Sequence, residues 1–189
     1  VNGLGVCCVT YCVGGLNAVN AVAGAYAEKS PLVLISGAPG LGERLHSPLL
    51  HHKVKDFSTQ REIFDKITVA SVAIEDSASA PHKIDMALEA CIQQKRPVYI
   101  ELPRDMVAQI CDAPVRKRAV PLKSDPEVLK EALDEATAIL RNAKHPVILA
   151  GVEIHRFGLQ DRLLAFVEKT GYPVAATLLG KSIVTENHP

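Results

Sequence analysis

Residues 6–37 read VCCVTYCVGGLNAVNAVAGAYAEKSPLVLISG and contain the clearest pattern of secondary structure in the chain. An apolar run typical of a β-strand covers residues 6–11 and is followed by Gly14-Gly15. Small residues then recur at helical spacing over about 16–29, and a second apolar run at 32–35 ends at Gly37. This order predicts a strand–helix–strand unit, from which parallel sheets are built.

The composition excludes several classes of protein. The 189 residues are 48% hydrophobic, and 21 Lys and Arg balance 21 Asp and Glu, so the chain has no basic surplus for nucleic acid or an anionic membrane surface. No apolar run approaches the ~20 residues that span a bilayer, and no signal peptide is recognisable. The five cysteines are odd in number, and Cys7-Cys8 lie in a strand predicted to be buried, which favours reduced thiols and a cytoplasmic location.

The rest of the chain continues the same α/β pattern. Residues 38–58 form a long irregular segment, and such segments inside compact domains are usually functional or mobile. The hydrophobic periodicity then predicts a second set of elements. These are helices at 61–67, 77–95, from Asp125 onward and at 159–169, with strands at 68–74, 97–102, 146–151 and 173–177.

The domain organisation follows from a change in composition. Prolines and clustered charges replace periodic residues after the strand at 97–102, which is typical of a linker. We therefore predict a first domain at 1–106, a linker at 107–124 and a second, incomplete unit at 125–189. Because residue 6 already begins a core strand, we also expect an N-terminal portion of the first domain to be missing.

Two groups of residues are candidates for chemistry. Thr10 and Val13 follow the first strand, and Asn17 lies in the predicted first turn of the helix, where its side chain can bind backbone N–H groups or face a ligand. His51 and His52 lie in the loop that follows the second strand, so both groups should meet at the carboxyl rim of the sheet, where α/β proteins bind ligands. Imidazoles there can transfer protons near neutral pH.

Other interpretations of these residues remain open. Adding His46 gives H-x4-H-H, but no carboxylate lies at a matching spacing for a metal. Gly14-Gly15 could hold a phosphate, although neither the dinucleotide nor the Walker pattern is present. Cys12 could be a nucleophile, but packing is favoured because the sequence implies no neighbouring base.

Three sequence blocks together resemble a known family. These blocks, VTYCVGGLNAVNAVAGAYAEKSPLVLISGAPG, LLHHKVKDF and RPVYIELPRDM, resemble the thiamine-diphosphate-dependent 2-oxo acid decarboxylases, and the tail GYPVAATLLGKSIVTENHP extends the similarity. The branch acting on pyruvate, indolepyruvate and phenylpyruvate fits best, and the His-His pair marks it. Acetohydroxyacid synthases share the first block, but their Gly-Pro is replaced here by Cys12-Val13.

The resemblance implies a fold and a set of roles. It implies that 1–106 is the later part of a pyrimidine-binding domain with a parallel sheet, and that 125–189 begins a Rossmann-like central domain. Thr10, Val13 and Asn17 would lie beside the aminopyrimidine ring of thiamine diphosphate. His51 and His52 would bind the carboxylate of a 2-oxo acid and transfer protons as it becomes aldehyde and CO2. A homodimer or homotetramer is implied, since the family binds its cofactor between subunits.

Parts of the family's machinery lie outside this sequence. Its activating glutamate, its early aspartate and its G-D-G motif with the Mg²⁺ ligands have no counterpart in these 189 residues. We therefore expect the isolated chain to be inactive, since diphosphate needs Mg²⁺ and its oxygen ligands. The alternatives are a short non-catalytic binding module of the same fold, an acetohydroxyacid synthase-like carboligase and, more weakly, a nucleotide- or flavin-binding Rossmann protein.

Overall fold

A computed structural model describes residues 3–112 and 123–188 of the chain. The chain divides into two compact units, Val1–Val115 and Arg116–Pro189. Residues 113–122, which form much of the predicted linker, lie outside the described residues, so the predicted linker bounds stay a prediction. No helix in the described ranges is long and apolar enough to cross a membrane.

The first unit is built on a fully parallel sheet, as the sequence predicts. Its four strands are arranged in the order β1-β2-β4-β3, and each hydrogen-bonded pair of neighbours is parallel. The elements in chain order are β1 Gly5–Val9, α1 Val13–Asn17, α2 Val19–Ala27, β2 Leu32–Ala38, α3 Leu41–Arg44, α4 Thr59–Ile67, β3 Ala70–Ala73, α5 Ala80–Gln94 and β4 Val98–Pro103.

Helices cover both faces of this sheet. On one face α2 and α4 bury a cluster that includes Leu34, Phe64 and Tyr99. The rings of Phe64 and Tyr99 are stacked, with their centroids 4.6 Å apart. On the other face α5 packs through Ala87 and Cys91 against the β-branched side chains of β2, β3 and β4. Burial on both faces explains why β2 and β4 are continuous apolar runs rather than alternating ones.

The helix after β1 differs from the prediction. It begins at Val13 rather than near residue 16, and it breaks into α1 and α2 at Ala18, whose N–H bonds to the carbonyl of Gly15 at 2.9 Å. Gly14-Gly15 are therefore helical, and Asn17 ends α1 instead of starting a helix. Glycine lowers helix propensity by only about 1 kcal/mol, which tertiary packing overrides.

Two further expectations for this unit are wrong. Cys7 and Cys8 are exposed, because β1 is an edge strand whose residues are largely uncovered; Cys12 and Cys91 are buried, and all five thiols are free. The long helix starts at Ala80 rather than 77, because the Asp76 carboxylate binds the N–H groups of Ala78 and Ser79 in a turn that precedes it.

The second unit contains a smaller parallel sheet in the described residues. Ile148 pairs with Val174, Leu149 with Ala175 and Ala150 with Ala176. Asp125 caps the first helix by accepting hydrogen bonds from the N–H groups of Glu127 and Val128, at 2.9 and 3.1 Å. The elements are α6 Pro126–Asn142, β5 Ile148–Ala150, α7 Glu153–Arg156, α8 Gln160–Thr170, β6 Val174–Ala176 and a 3-10 turn at Leu178–Gly180.

Candidate functional site

Residues 10–17, which comprise the connection between β1 and α1 and the short helix α1 itself, form the first half of the candidate site and are called the turn below. The turn leaves the carboxyl end of β1, and hydrogen bonds from Gly15 N–H to Thr10 and from Leu16 N–H to Cys12 close it at 3.2 and 2.7 Å. The side chains of Thr10, Val13 and Asn17 are exposed, whereas Tyr11, Cys12 and Gly15 are buried. The three residues predicted to bind a cofactor therefore lie on the outer side of one turn and are free to contact a ligand.

Cys12 forms part of the inner side of the turn. It packs with Tyr11, Ala38, Leu16 and Phe57, and its backbone has φ +54°, which is unusual for a residue other than glycine. Burial raises the pKa of the Cys12 thiol, and a hydrogen bond from the Val54 backbone opposes this shift only in part. A buried thiol of raised pKa favours packing over nucleophilic chemistry.

Beneath the turn lies a chain of buried polar side chains. Gln60 on α4 donates its amide hydrogens to Ser36 at 2.8 Å and to the Tyr99 hydroxyl at 2.5 Å, and Tyr99 donates to Glu101 at 3.0 Å. Gln60, Ser36 and Glu101 are at most 1% exposed. Burial, reinforced by the neighbouring Glu101 carboxylate, raises the pKa of Tyr99 well above its usual range, so the phenol stays a neutral donor.

This buried chain contacts the turn at Gly15. A Cβ at Gly15 would lie 2.3 Å from Gln60 Oε1, and a Cβ at Gly14 would lie 2.8 Å from the methyl group of Thr10. Both glycines are therefore needed for close packing, which is the more common reason for a glycine pair at such a turn. The geometry gives no support to a phosphate site at these two residues.

The loop from β2 to α4 provides the second half of the site. It begins at Ala38, beside the end of β1, because Val9 pairs with Ser36 in the parallel register. Arg44 anchors its start by donating to Glu101 at 3.0 Å and to the Pro39 carbonyl at 3.1 Å. The predicted histidine loop therefore leaves the same rim as the turn.

His51 and His52 are brought together in this loop. Their ring centroids are 3.8 Å apart with the planes tilted by 37°. A turn closed by the hydrogen bond from Lys53 N–H to Leu50 O at 3.1 Å presents the pair, and His52 has φ +70°. His51 is exposed and His52 is half-buried, so both imidazoles are accessible from solvent.

The loop and the turn meet just after the histidines. Phe57, five residues after His52, packs against Tyr11, Cys12 and Ala38, and the backbone of Val54 lies close enough to the Cys12 thiol to influence its pKa. The two halves are therefore joined through residues that follow the histidine pair in the same loop. These residues hold the histidine loop against the turn, although they leave the imidazole positions to the loop itself.

The His46, His51 and His52 combination does not form a metal site in the part of the chain that the structure describes. No group of three His, Cys, Asp or Glu side chains suited to a metal ion occurs within residues 3–112 and 123–188. His46, which would complete H-x4-H-H, is exposed.

A concave surface lies at the same rim as Thr10. Its volume is about 320 Å³, and Arg104, whose guanidinium pairs with Glu43, forms part of its wall. Its other lining residues are Cys8, Thr10, Tyr11, Ile35, Gly37, Ala38, Leu102 and Val107. This surface is open and mainly apolar, and it lies at the rim of the sheet where α/β proteins bind ligands.

Sequence reasoning did not identify the buried polar residues or Lys53. A signal for Gln60 exists in the sequence, since it lies four residues before Phe64 and hence on the buried face of α4. Tyr99 and Glu101 are two residues apart and therefore lie on the same face of β4. The hydrogen-bond partners of Gln60, Ser36 and Tyr99, are 24 and 39 residues away from it in sequence, so the network itself is a tertiary feature.

Comparison with known proteins identifies similar sequences. Residues 1–62 match the family described as thiamine pyrophosphate enzyme, N-terminal TPP binding domain, and residues 133–189 match the thiamine pyrophosphate enzyme central domain. The chain is 42% identical to an indole-3-pyruvate decarboxylase from Azospirillum brasilense over 97% of its length, which covers 33% of that relative. It is 39% identical to a pyruvate decarboxylase from Neurospora crassa over 99% of its length, and 38% to a probable pyruvate decarboxylase from Schizosaccharomyces pombe over 100%, covering 34% of each. The chain thus spans about a third of the length of these relatives.

Proposed function

Because this chain belongs to the family of thiamine pyrophosphate enzymes, we propose that it forms part of a decarboxylase that converts a 2-oxo acid to an aldehyde and CO2. The observation that carries the proposal is the attachment of the His51-His52 loop to the turn of Thr10, Val13 and Asn17 through the packing of Phe57 on Tyr11, Cys12 and Ala38. The named activities of the relatives, on pyruvate and indole-3-pyruvate, suggest the substrate class.

The exposed side of the turn fits one end of thiamine diphosphate. Val13, 47% exposed, offers an apolar surface to the face of an aminopyrimidine ring, while Thr10 and Asn17 offer a hydroxyl and an amide for its polar edge. When bound, the cofactor supplies the electron sink that accepts the electron pair released with CO2. The ligands of its Mg²⁺ and diphosphate are proposed to lie outside these 189 residues.

The histidine pair is proposed to bind the substrate carboxylate and transfer protons. Imidazole is the side chain best suited to exchange a proton near neutral pH, and the accessible pair can do so from the loop. Each ring can donate from one nitrogen while accepting at the other, so two adjacent rings can hold a carboxylate and still deliver a proton.

We extend the proposal to the organisation of the whole protein. The first domain is 1–106, a linker spans 107–124, and the central domain starts at 125. The natural enzyme is a homodimer or homotetramer in the cytoplasm, and it acts on a 2-oxo acid of the pyruvate, indolepyruvate or phenylpyruvate type. A carboligase related to acetohydroxyacid synthases and a non-catalytic module of the same fold are the alternatives.

The test compares histidine variants of the natural protein that contains this chain. We expect His52→Ala to lower kcat for CO2 release from its best 2-oxo acid by about a hundredfold or more, since general acid–base catalysis contributes factors of that size. His46→Ala is the matched control, because His46 is exposed in the same loop but outside the pair, and it should leave kcat unchanged.

Three other results would redirect the proposal. Unchanged turnover of His52→Ala on pyruvate, indolepyruvate and phenylpyruvate would remove the histidines from the mechanism. If the natural protein joins two 2-oxo acids and releases no free aldehyde, the carboligase alternative is correct. If it is inert with every 2-oxo acid while folded and loaded with cofactor, it is the non-catalytic module.

A further inference from the structure

We infer that Lys53 is a positioning residue that fixes the geometry of the His51-His52 pair. The inference about geometry stands on contacts within the loop, while its catalytic consequence rests on the function proposed above. Lys53 follows the pair directly in sequence, and its ammonium group closes the short segment that contains the two histidines.

The ammonium of Lys53 bridges back across the histidines. It donates to the carbonyl of Ser47 at 3.1 Å, to the Ser47 hydroxyl at 2.9 Å and to the carbonyl of Pro48 at 3.2 Å. An ammonium has three donors, and these three acceptors match that number. These hydrogen bonds therefore close the segment of residues 47–53, and His51 and His52 are two of its members.

The same side chain ties this segment to the turn. The Lys53 ammonium lies 4.5 Å from the centroid of the Phe57 ring, within the range of a cation–π contact. Phe57 in turn packs on Tyr11, Cys12 and Ala38 beneath the turn. Lys53 thus connects Ser47 and Pro48, through Phe57, to the hydrophobic residues that pack beneath the turn.

The loop needs such a restraint because its own side chains provide little. Leu49, directly before the histidine turn, is fully exposed at 101%, so its side chain contributes no hydrophobic packing to this part of the loop. Ser47 and His52 have φ +44° and +70°, values that non-glycine residues avoid without a compensating interaction. The hydrogen bonds of Lys53 to Ser47 and Pro48 supply that interaction at one end of the segment.

A direct role for Lys53 in holding the substrate is the competing explanation. An ammonium that already donates to three oxygens would have to give up at least one of them to bind a carboxylate. The two roles differ in what they predict: a substrate ligand affects KM first, whereas a positioning residue affects kcat and the order of the loop.

The experiment uses the natural protein with Lys53→Met, which keeps the apolar stem but removes the charge and the donors. Lys55→Met is the matched control, because Lys55 is an exposed lysine of the same loop. Hydrogen–deuterium exchange of the peptide covering residues 45–58 and the steady-state kinetics of CO2 release are measured for both variants and for Lys53→Arg.

We expect Lys53→Met to raise exchange in this peptide, to lower kcat about tenfold and to leave KM within a factor of two. Lys55→Met should change none of these, and Lys53→Arg, which keeps a cation and several donors, should recover at least half of the lost kcat. Unchanged exchange in Lys53→Met would overturn the inference, as would a rise in KM with kcat intact. The histidine test is separate: if His52→Ala keeps full turnover, the proposed function fails while the exchange result still decides what Lys53 does.

Discussion

The two halves of the candidate site are held in different ways. The turn rests on a buried chain of hydrogen bonds from Ser36 through Gln60 and Tyr99 to Glu101, whose members are nearly inaccessible to solvent. The histidine loop is held near the surface, by the ammonium of Lys53 and by the packing of Phe57. The part proposed to hold the cofactor is therefore supported by buried hydrogen bonds, and the part proposed to move protons by contacts that solvent can reach.

This difference predicts where substitutions will act. Changes beneath the turn should affect folding first, since a buried polar group that loses its partner is costly. Changes in the exposed part of the loop that contains the histidines should affect turnover while leaving the fold intact, because surface interactions contribute little to stability. Arg44, at the start of the loop, is an exception, because it pairs with the buried Glu101 carboxylate. Variants that invert this order would show that the two halves are not held as described.

The largest effect on stability is expected for Gly15→Val. Its Cβ would lie 2.3 Å from the Gln60 amide oxygen, and Gln60 cannot move aside without breaking its bonds to Ser36 and Tyr99. We expect the free energy of unfolding to fall by about 3 kcal/mol or more, measured by chemical denaturation. Gly24→Ala is the control, because nothing lies within 4 Å of its Cβ in α2; it should be neutral or stabilise by up to about 1 kcal/mol. Equal stability of the two variants would contradict the close packing of Gly15.

Arg44→Met should have the next largest effect. The substitution leaves the buried carboxylate of Glu101, which is 1% exposed, without its cation. Breaking a buried ion pair in this way costs about 3 kcal/mol at most here, because Arg44 keeps some contact with water. The double variant Arg44→Met/Glu101→Gln removes the charge but keeps an acceptor for Tyr99, and it should recover part of the loss in the same denaturation assay. A double variant less stable than the single one would mean that the ion pair is not what holds the start of the loop.

A smaller effect is expected from Tyr11 at alkaline pH. Burial, more than the neighbouring charges, raises the pKa of its phenol from 10.0 to about 12 in the folded protein. Since the unfolded state ionises first, the contribution of Tyr11 is fully present below about pH 10 and is lost as the pH rises toward 12. Tyr11→Phe should therefore flatten the decline of the unfolding midpoint between about pH 10 and 12. Identical pH profiles for wild type and Tyr11→Phe would show that the ring is hydrated in the folded state.

Much of the fold follows directly from the sequence, because apolar runs and helical periodicity are local. They predicted the parallel α/β architecture and a helix from Asp125 onward, which corresponds to α6. The helical state of Gly14-Gly15 was missed because it depends on packing against Thr10 and Gln60 rather than on propensity. The burial of Cys7 and Cys8 was predicted wrongly because the edge position of β1 is a property of the sheet.

The site divides in the same way. The sequence indicates His51, His52 and the turn residues, because strand ends in a parallel sheet share one rim. It does not reveal the buried chain from Ser36 to Glu101, whose hydrogen bonds join separate elements. It also does not reveal Lys53, since an exposed lysine in a loop looks the same whether or not its ammonium closes such a segment.

The most direct test of the account is a crystal structure of the natural protein with thiamine diphosphate bound. We expect the aminopyrimidine ring of the cofactor beside Thr10, Val13 and Asn17, and the imidazoles of His51 and His52 facing the reactive carbon of the cofactor. Density that places the cofactor away from this turn, or both imidazoles turned toward bulk solvent, would contradict it.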